Sequence, residues 1–172
     1  MCLLFLLGVT GLYAPQVNEA GWLGLAGFLL FGLSWTLQTA FVFAEAFILP
    51  PLATEAPRFV DSVLGIINGS PGGMNLGALP AVYNLGVGVP YVLGGLLFGL
   101  ATLRARVLPR WPASLLTVAA AATVAAAVVP HPLNRMLAVP MGLALVWLGY
   151  ALWSERREKA SPLLSGRSSL PR

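Results

Sequence analysis

The sequence predicts an all-α protein, a polytopic transmembrane helix bundle of about five spans, and three observations carry that prediction. Apolar residues make up 58% of the 172 positions and charged residues only 9%, against roughly a quarter charged in a soluble domain. The charges are also segregated, leaving 20–44, 62–103, 111–129 and 136–154 without any. Each of these stretches can supply the roughly 20 residues that a helix needs to cross a hydrocarbon layer about 30 Å thick. Prolines and glycines, the strongest local punctuators, gather between the apolar runs.

The elements follow in order. Met1–Tyr13 is a first span, short at about 1.5 Å per residue, with no basic residue ahead of it as a secretory signal has; it reads as a helix truncated at its start. Residues 14–21, with Pro15, Asn18 and Glu19, form a turn. The second span, 22–49, ends where Pro50 and Pro51 cannot donate the next helical hydrogen bond. In the connection that follows, Phe59, Val60, Val63, Leu64 and Ile67 share one face of an amphipathic helix over 57–67, expected to lie on the membrane surface. Gly69-Ser70-Pro71-Gly72-Gly73 breaks it. The later spans are 79–103, 113–129 and 133–153, with Pro140 kinking the last. The polar segment 154–172 is expected to be a disordered tail.

Charge sets the orientation. Of the ten basic residues, Arg104, Arg106 and Arg110 fall in one short connection and Arg156, Arg157, Lys159, Arg167 and Arg172 in the tail, leaving only Arg58 and Arg135 elsewhere. Basic clusters mark cytoplasmic segments. The pattern predicts a multi-pass protein of the cell inner membrane with its C-terminus in the cytoplasm. The membrane accounts for the basic balance, so nucleic acid is not an expected partner. Membrane lipids are: Arg104, Arg106 and Arg110 can meet anionic headgroups on the cytoplasmic side, with Trp111 at headgroup depth. Positive-inside topology produces the same pattern without any specific ligand. Cys2, the single cysteine, excludes an internal disulfide framework and stands too near the start to follow a lipoprotein signal.

Leu97–Leu116, LFGLATLRARVLPRWPASLL, resembles segments of small uncharacterised bacterial polytopic membrane proteins, and Ala44–Pro57, AEAFILPPLATEAP, has the same character. Together they cover about a fifth of the chain. The resemblance implies a membrane bundle and carries no activity with it.

Glu45 is the acid inside a long apolar run, and a charge near the bilayer centre costs about 2.5–3.5 kcal/mol on insertion scales. Ser34, Gln38 and Glu45 are spaced by four and seven residues, which puts them on one helical face. Glu45 also lies near the end of its span, where an interfacial carboxylate costs little, so a structural reading stands beside an ion- or proton-site reading. In the predicted topology Tyr83, Asn84, His131, Asn134 and Arg135 share its side of the membrane, and His131 or Arg135 is the expected partner for the carboxylate. His131, the only histidine, sits between two prolines in a turn and is expected to be a loop residue. Alone it cannot make a zinc or bis-histidine haem site, so neither metal nor cofactor is expected.

Gly95 and Gly99 form a GxxxG pair, and residues 119–122 and 125–127 are alanine-rich. Small residues let helices approach closely in lipid. Packing within the bundle is the first reading, a homo-oligomer through Gly95 and Gly99 the second. Asn84, Gly86, Gly88 and Pro90 could mark a locally unwound helix of the transporter kind. The 65–73 segment lacks the lysine and strand-to-helix setting of a phosphate loop. A structural or accessory membrane protein is the leading function. A small-solute or proton-linked carrier using Glu45, Gln38 and Asn84 is the alternative. A membrane enzyme comes last, because one histidine and scattered acids offer little acid–base machinery.

Overall fold

A computed structural model describes residues 2–70, 72–126 and 131–165, with side chains described at 2–70, 72–123, 139–155 and 157. Among the described residues the chain is all-α, without a strand. In order it forms α1 (Cys2–Tyr13), a 3₁₀ turn (Ala14–Gln16), α2 (Val17–Phe43), a π turn (Ala44–Ile48), α3 (Leu49–Glu55), α4 (Pro57–Asn68), α5 (Leu79–Ala81), a second π turn (Val82–Gly88), α6 (Val89–Ala105), α7 (Arg110–Ala126) and α8 (His131–Ser165). Two helical stretches, Cys2–Glu55 and Leu79–Ala105, are long and apolar enough to cross a membrane.

The first of these is folded back on itself. Gly21 takes φ 55° and ψ −157°, a backbone state that side chains disfavour and glycine adopts freely. The chain reverses there. Phe5 stacks on Trp35 and Tyr13 on Phe28, the pairing of an antiparallel hairpin. The turn expected at 14–21 therefore exists, but helical hydrogen bonding resumes at Val17, before the reversal.

Proline shapes the two π turns. Pro50 and Pro51 were expected to end the second span, yet helical structure continues to Glu55. A proline has no N–H to give the carbonyl four residues back, and its ring crowds that carbonyl. The turn ahead of it widens instead: Leu49 N–H reaches back five residues to Ala44 O. The same adjustment precedes Pro90, where Val89 N–H bonds Asn84 O. The segment expected to unwind at 84–90 is thus a widened helix.

Neighbouring helices contact in the order α1, α2, α6, α7, α8, and α8 returns to α1. One core joins them all, with Val9 and Leu12 of α1, Phe31 of α2, Phe98 of α6, Leu116 and Ala120 of α7, and Met141, Ala144 and Leu148 of α8. The closest approach is antiparallel, α2 on α6. A Cβ on Gly27 would lie 2.9 Å from the Leu97 carbonyl carbon, and one on Gly94 would lie 2.5 Å from Phe31 N. Glycine is needed at both positions because backbone meets backbone. Gly95 and Gly99 are buried against α7: added Cβ atoms would stand 3.1 Å from Ala120 Cβ and 3.1 Å from Thr117 N respectively. The GxxxG pair therefore packs inside this chain.

The packing of α4 and two other boundaries add detail. On the amphipathic helix, α4, Val60 and Val63 pack with Leu49 of α3, flanked by Leu52, Leu76 and Leu79. α7 begins at Arg110, three residues before the expected start. α8 continues as helix to Ser165 through the first part of the expected disordered tail. Glu155, Arg156, Glu158, Lys159 and Ala160 are all good helix formers, so the polarity that suggested disorder is compatible with helix. Residues 166–172 lie outside the described residues.

Candidate functional site

The candidate site lies where α2 and the π turns meet, at the end of the bundle rich in proline. Ser34 faces α6 and is buried, its hydroxyl donating to Val87 O at 2.8 Å. The facing helix thus donates into the second π turn at Val87 O, one residue beyond Gly86, whose carbonyl loses its α-helical donor at Pro90. One turn further along α2, Gln38 is half-buried. Glu45 stands exposed on the first π turn. It directly follows the last regular turn of α2, where Ala44 N–H bonds Ala40 O.

Tyr83 packs edge-on against Phe41, ring centres 4.9 Å apart, and lies within electrostatic reach of Glu45. Of the eight residues named for this site, Glu45 and Tyr83 are a pair within electrostatic reach. Asn84 is exposed and lines a separate open cavity of about 400 Å³ with Ser62, Gly65, Ser70, Gly72 and Met74. His131, Asn134 and Arg135 have side chains outside the described residues, so the expected pairing of His131 or Arg135 with Glu45 lies outside them too.

The cavity was not foreseen. Its wall is a latch closed over α4. Gly69 (φ 68°) ends that helix in the left-handed conformation, and Ser70 N–H bonds Gly65 O at 2.8 Å while Gly69 N–H bonds Ile66 O at 3.3 Å. This is a Schellman ending. The loop then returns so that Met74 N–H donates to Ser62 Oγ at 3.2 Å, while Ser62 itself donates to Arg58 O. Gly72 lies directly against Ser62. The glycines at 69, 72 and 73 were legible as a breaker; the serine that they close upon was not, since a lone serine on an amphipathic helix carries no signal.

The opposite end carries the arginines. Arg104 lies in the last turn of α6, where a cation complements the negative helix pole. Arg106 follows in the left-handed conformation, φ 55°, the only described non-glycine residue with positive φ. Leu108 is buried in the core, and Arg110 opens α7. Arg104, Arg106 and Arg110 are all exposed, and so is Trp111, at 76%. Arg157 lies over the Trp153 ring, 4.3 Å from its centre. Just inside this end, Gln16 Nε2 donates to Leu12 O and to Thr102 Oγ, both at 3.1 Å, and Thr102 donates to Phe98 O. Gln16 Oε1 is left buried without a donor. This polar joint between the α1–α2 turn and α6 also escaped the sequence, because Gln16 reads as a turn residue.

Among the described residues no three His, Cys, Asp or Glu side chains gather closely enough to hold a metal ion. No protein-family model matches the chain, and neither a curated protein nor a solved structure shows significant similarity to it.

Proposed function

We propose that the chain is a membrane-embedded bundle of five spans, α1, α2, α5–α6, α7 and α8, with a structural or accessory role in the cell inner membrane. The observation that carries this reading is the direction of its apolar side chains. Leu3, Leu4 and Leu7 of α1, Leu29 and Leu33 of α2, Leu93 and Leu100 of α6, Val118 of α7 and Leu143 and Val146 of α8 are all exposed. The interior meanwhile holds Phe31, Phe98, Leu116, Met141 and Leu148 together with alanines and the polar Gln16, Ser34 and Thr102. A core helix of a soluble protein would be mostly buried, whereas only 17% and 44% of the two most apolar windows are. Lipid is the solvent that makes such a surface favourable.

The aromatic residues support an orientation. Trp22 (85% exposed), Trp111 and Trp153 lie at the arginine end, as tryptophans do at headgroup depth. With Arg104, Arg106 and Arg110 beside them, that end faces the cytoplasm by the positive-inside rule. The π turns, α3, α4 and the latch then cap the outer side.

The accessory reading is favoured over a carrier by the backbone contact of α2 with α6, which leaves no room for a solute between those helices. The carrier reading keeps one support, the proximity of Glu45 to Tyr83 at the second π turn. Two measurements test the proposal. Alkaline carbonate extraction should leave the chain in the membrane pellet; release into the supernatant would refute the membrane placement. Glu45→Gln should leave growth and solute flux unchanged at equal membrane abundance. Loss of flux at equal abundance would establish the carrier instead.

A further inference from the structure

We infer that the connection between α6 and α7 is a binding site for the phosphate headgroup of an anionic phospholipid, an inference that rests on the membrane placement proposed above. Positive-inside topology alone requires only that arginines lie on this side. The fold does more: it fixes how they are presented.

The connection from Arg106 to Pro109 is anchored at both ends and in its middle. Arg106 closes α6 in the left-handed conformation, Leu108 is buried in the common core, and Pro109 precedes the first residue of α7. Left-handed backbone costs a side-chain-bearing residue roughly 1–2 kcal/mol, so a flexible loop would not hold an arginine there. Driving Leu108 inward leaves Arg104, Arg106 and Arg110 exposed around it. Three exposed guanidinium groups lie on a seven-residue stretch, and guanidinium matches phosphate geometry in a bidentate fashion.

Trp111 and Pro112 fix the depth. Pro112 is buried while Trp111 projects outward beside Arg110. An indole in that position sits at the boundary between acyl chains and headgroups. The ligand chemistry is therefore a phosphate diester joined to an apolar tail, held with its phosphate against the arginines and its glycerol region beside the indole.

The test is a titration of the full chain, purified in neutral detergent, with phosphatidylglycerol and separately with phosphatidylcholine, bound lipid being counted by native mass spectrometry. Phosphatidylglycerol should bind more tightly than phosphatidylcholine. Each arginine-to-glutamine change should weaken it about fivefold, and the triple variant R104Q/R106Q/R110Q about 100-fold, given the usual strength of a basic residue near an anionic surface. Arg106→Gly keeps the left-handed turn accessible and should reproduce the single loss with unchanged helicity. Arg58→Gln, at the other end of the bundle, should change nothing.

Equal binding by the wild-type chain and the triple variant would overturn the inference. Inorganic phosphate binding as tightly as phosphatidylglycerol would also overturn it, assigning the arginines to a soluble anion. The membrane placement is read separately, from carbonate extraction of the same variants. A chain retained in the pellet with unaltered lipid preference refutes the site alone.

Discussion

Replacing Gly94 by alanine tests the packing of α2 on α6 at its tightest point. The added methyl would lie 2.5 Å from Phe31 N and 2.8 Å from Phe31 Cα, where ordinary contact needs about 3.5–4.0 Å. Backbone cannot rotate away as a side chain can, so the helices must part by about 1 Å. A gap of that size forfeits between roughly a quarter and a half of the dispersion attraction of the atoms lining it. Phe31 and Phe98, 0% and 1% exposed, lie at that seam. The expected cost is about 1–3 kcal/mol, the usual range for overpacking. Gly27→Ala, whose methyl meets the Leu97–Phe98 backbone, should cost a similar amount. Both changes force the same separation, so the double variant should lose less than the sum of the singles, by about 1 kcal/mol. Gly32→Ala, with nothing within 4 Å of the added methyl, should be neutral or stabilising by up to about 1 kcal/mol through helix propensity. Reversible unfolding in mixed micelles, followed by far-ultraviolet circular dichroism, measures all four. Wild-type stability in Gly94→Ala, or strict additivity with Gly27→Ala, would refute the backbone contact.

Two further variants probe the buried polar joints by the same unfolding measurement. Ser34→Ala removes the donor to Val87 O and should cost about 1–3 kcal/mol, since a buried acceptor loses a partner; no change would mean that the second π turn satisfies itself. Thr102→Val takes an acceptor from Gln16 Nε2 and should destabilise by about 1 kcal/mol. Adding Gln16→Leu should recover most of that loss, because it also removes the unpaired Oε1; a further loss in the double variant would show that the joint is worth more than its desolvation.

The helical architecture was legible because charge-free length and helix-breaking residues are local properties of the sequence. The prolines show where that legibility ended. Pro50, Pro51 and Pro90 signal that regular hydrogen bonding must fail nearby, but whether the chain turns or widens into a π turn depends on what packs against it. Beside Pro90 the facing Ser34 donates to Val87 O, a contact that nothing in the flanking residues announces. The face of α4 was likewise legible as apolar, while its cover came from Leu49, beyond the prolines, and from Leu76 and Leu79, beyond the latch. At the candidate site, the equal-face spacing of Ser34, Gln38 and Glu45 assumed a regular helix. Glu45 lies on the π turn at Ala44–Ile48, exposed and in electrostatic reach of Tyr83. Asn84 faces a cavity built by Ser62 and the glycine latch, a long-range closure that periodicity does not encode.

The membrane placement is tested most directly by cysteine labelling in a Cys2→Ser background, with single cysteines at Leu29, Val118 and Leu143, which are exposed on the bundle's flank, and at Ser70 and Arg106, which are exposed at its two ends. A membrane-impermeant maleimide applied to intact cells should label position 70 alone, and applied after permeabilisation should label 70 and 106, leaving the three flank positions unreacted until the membrane is dissolved in detergent. Labelling of the flank cysteines in intact membranes, at the rate seen for position 70, would contradict the account.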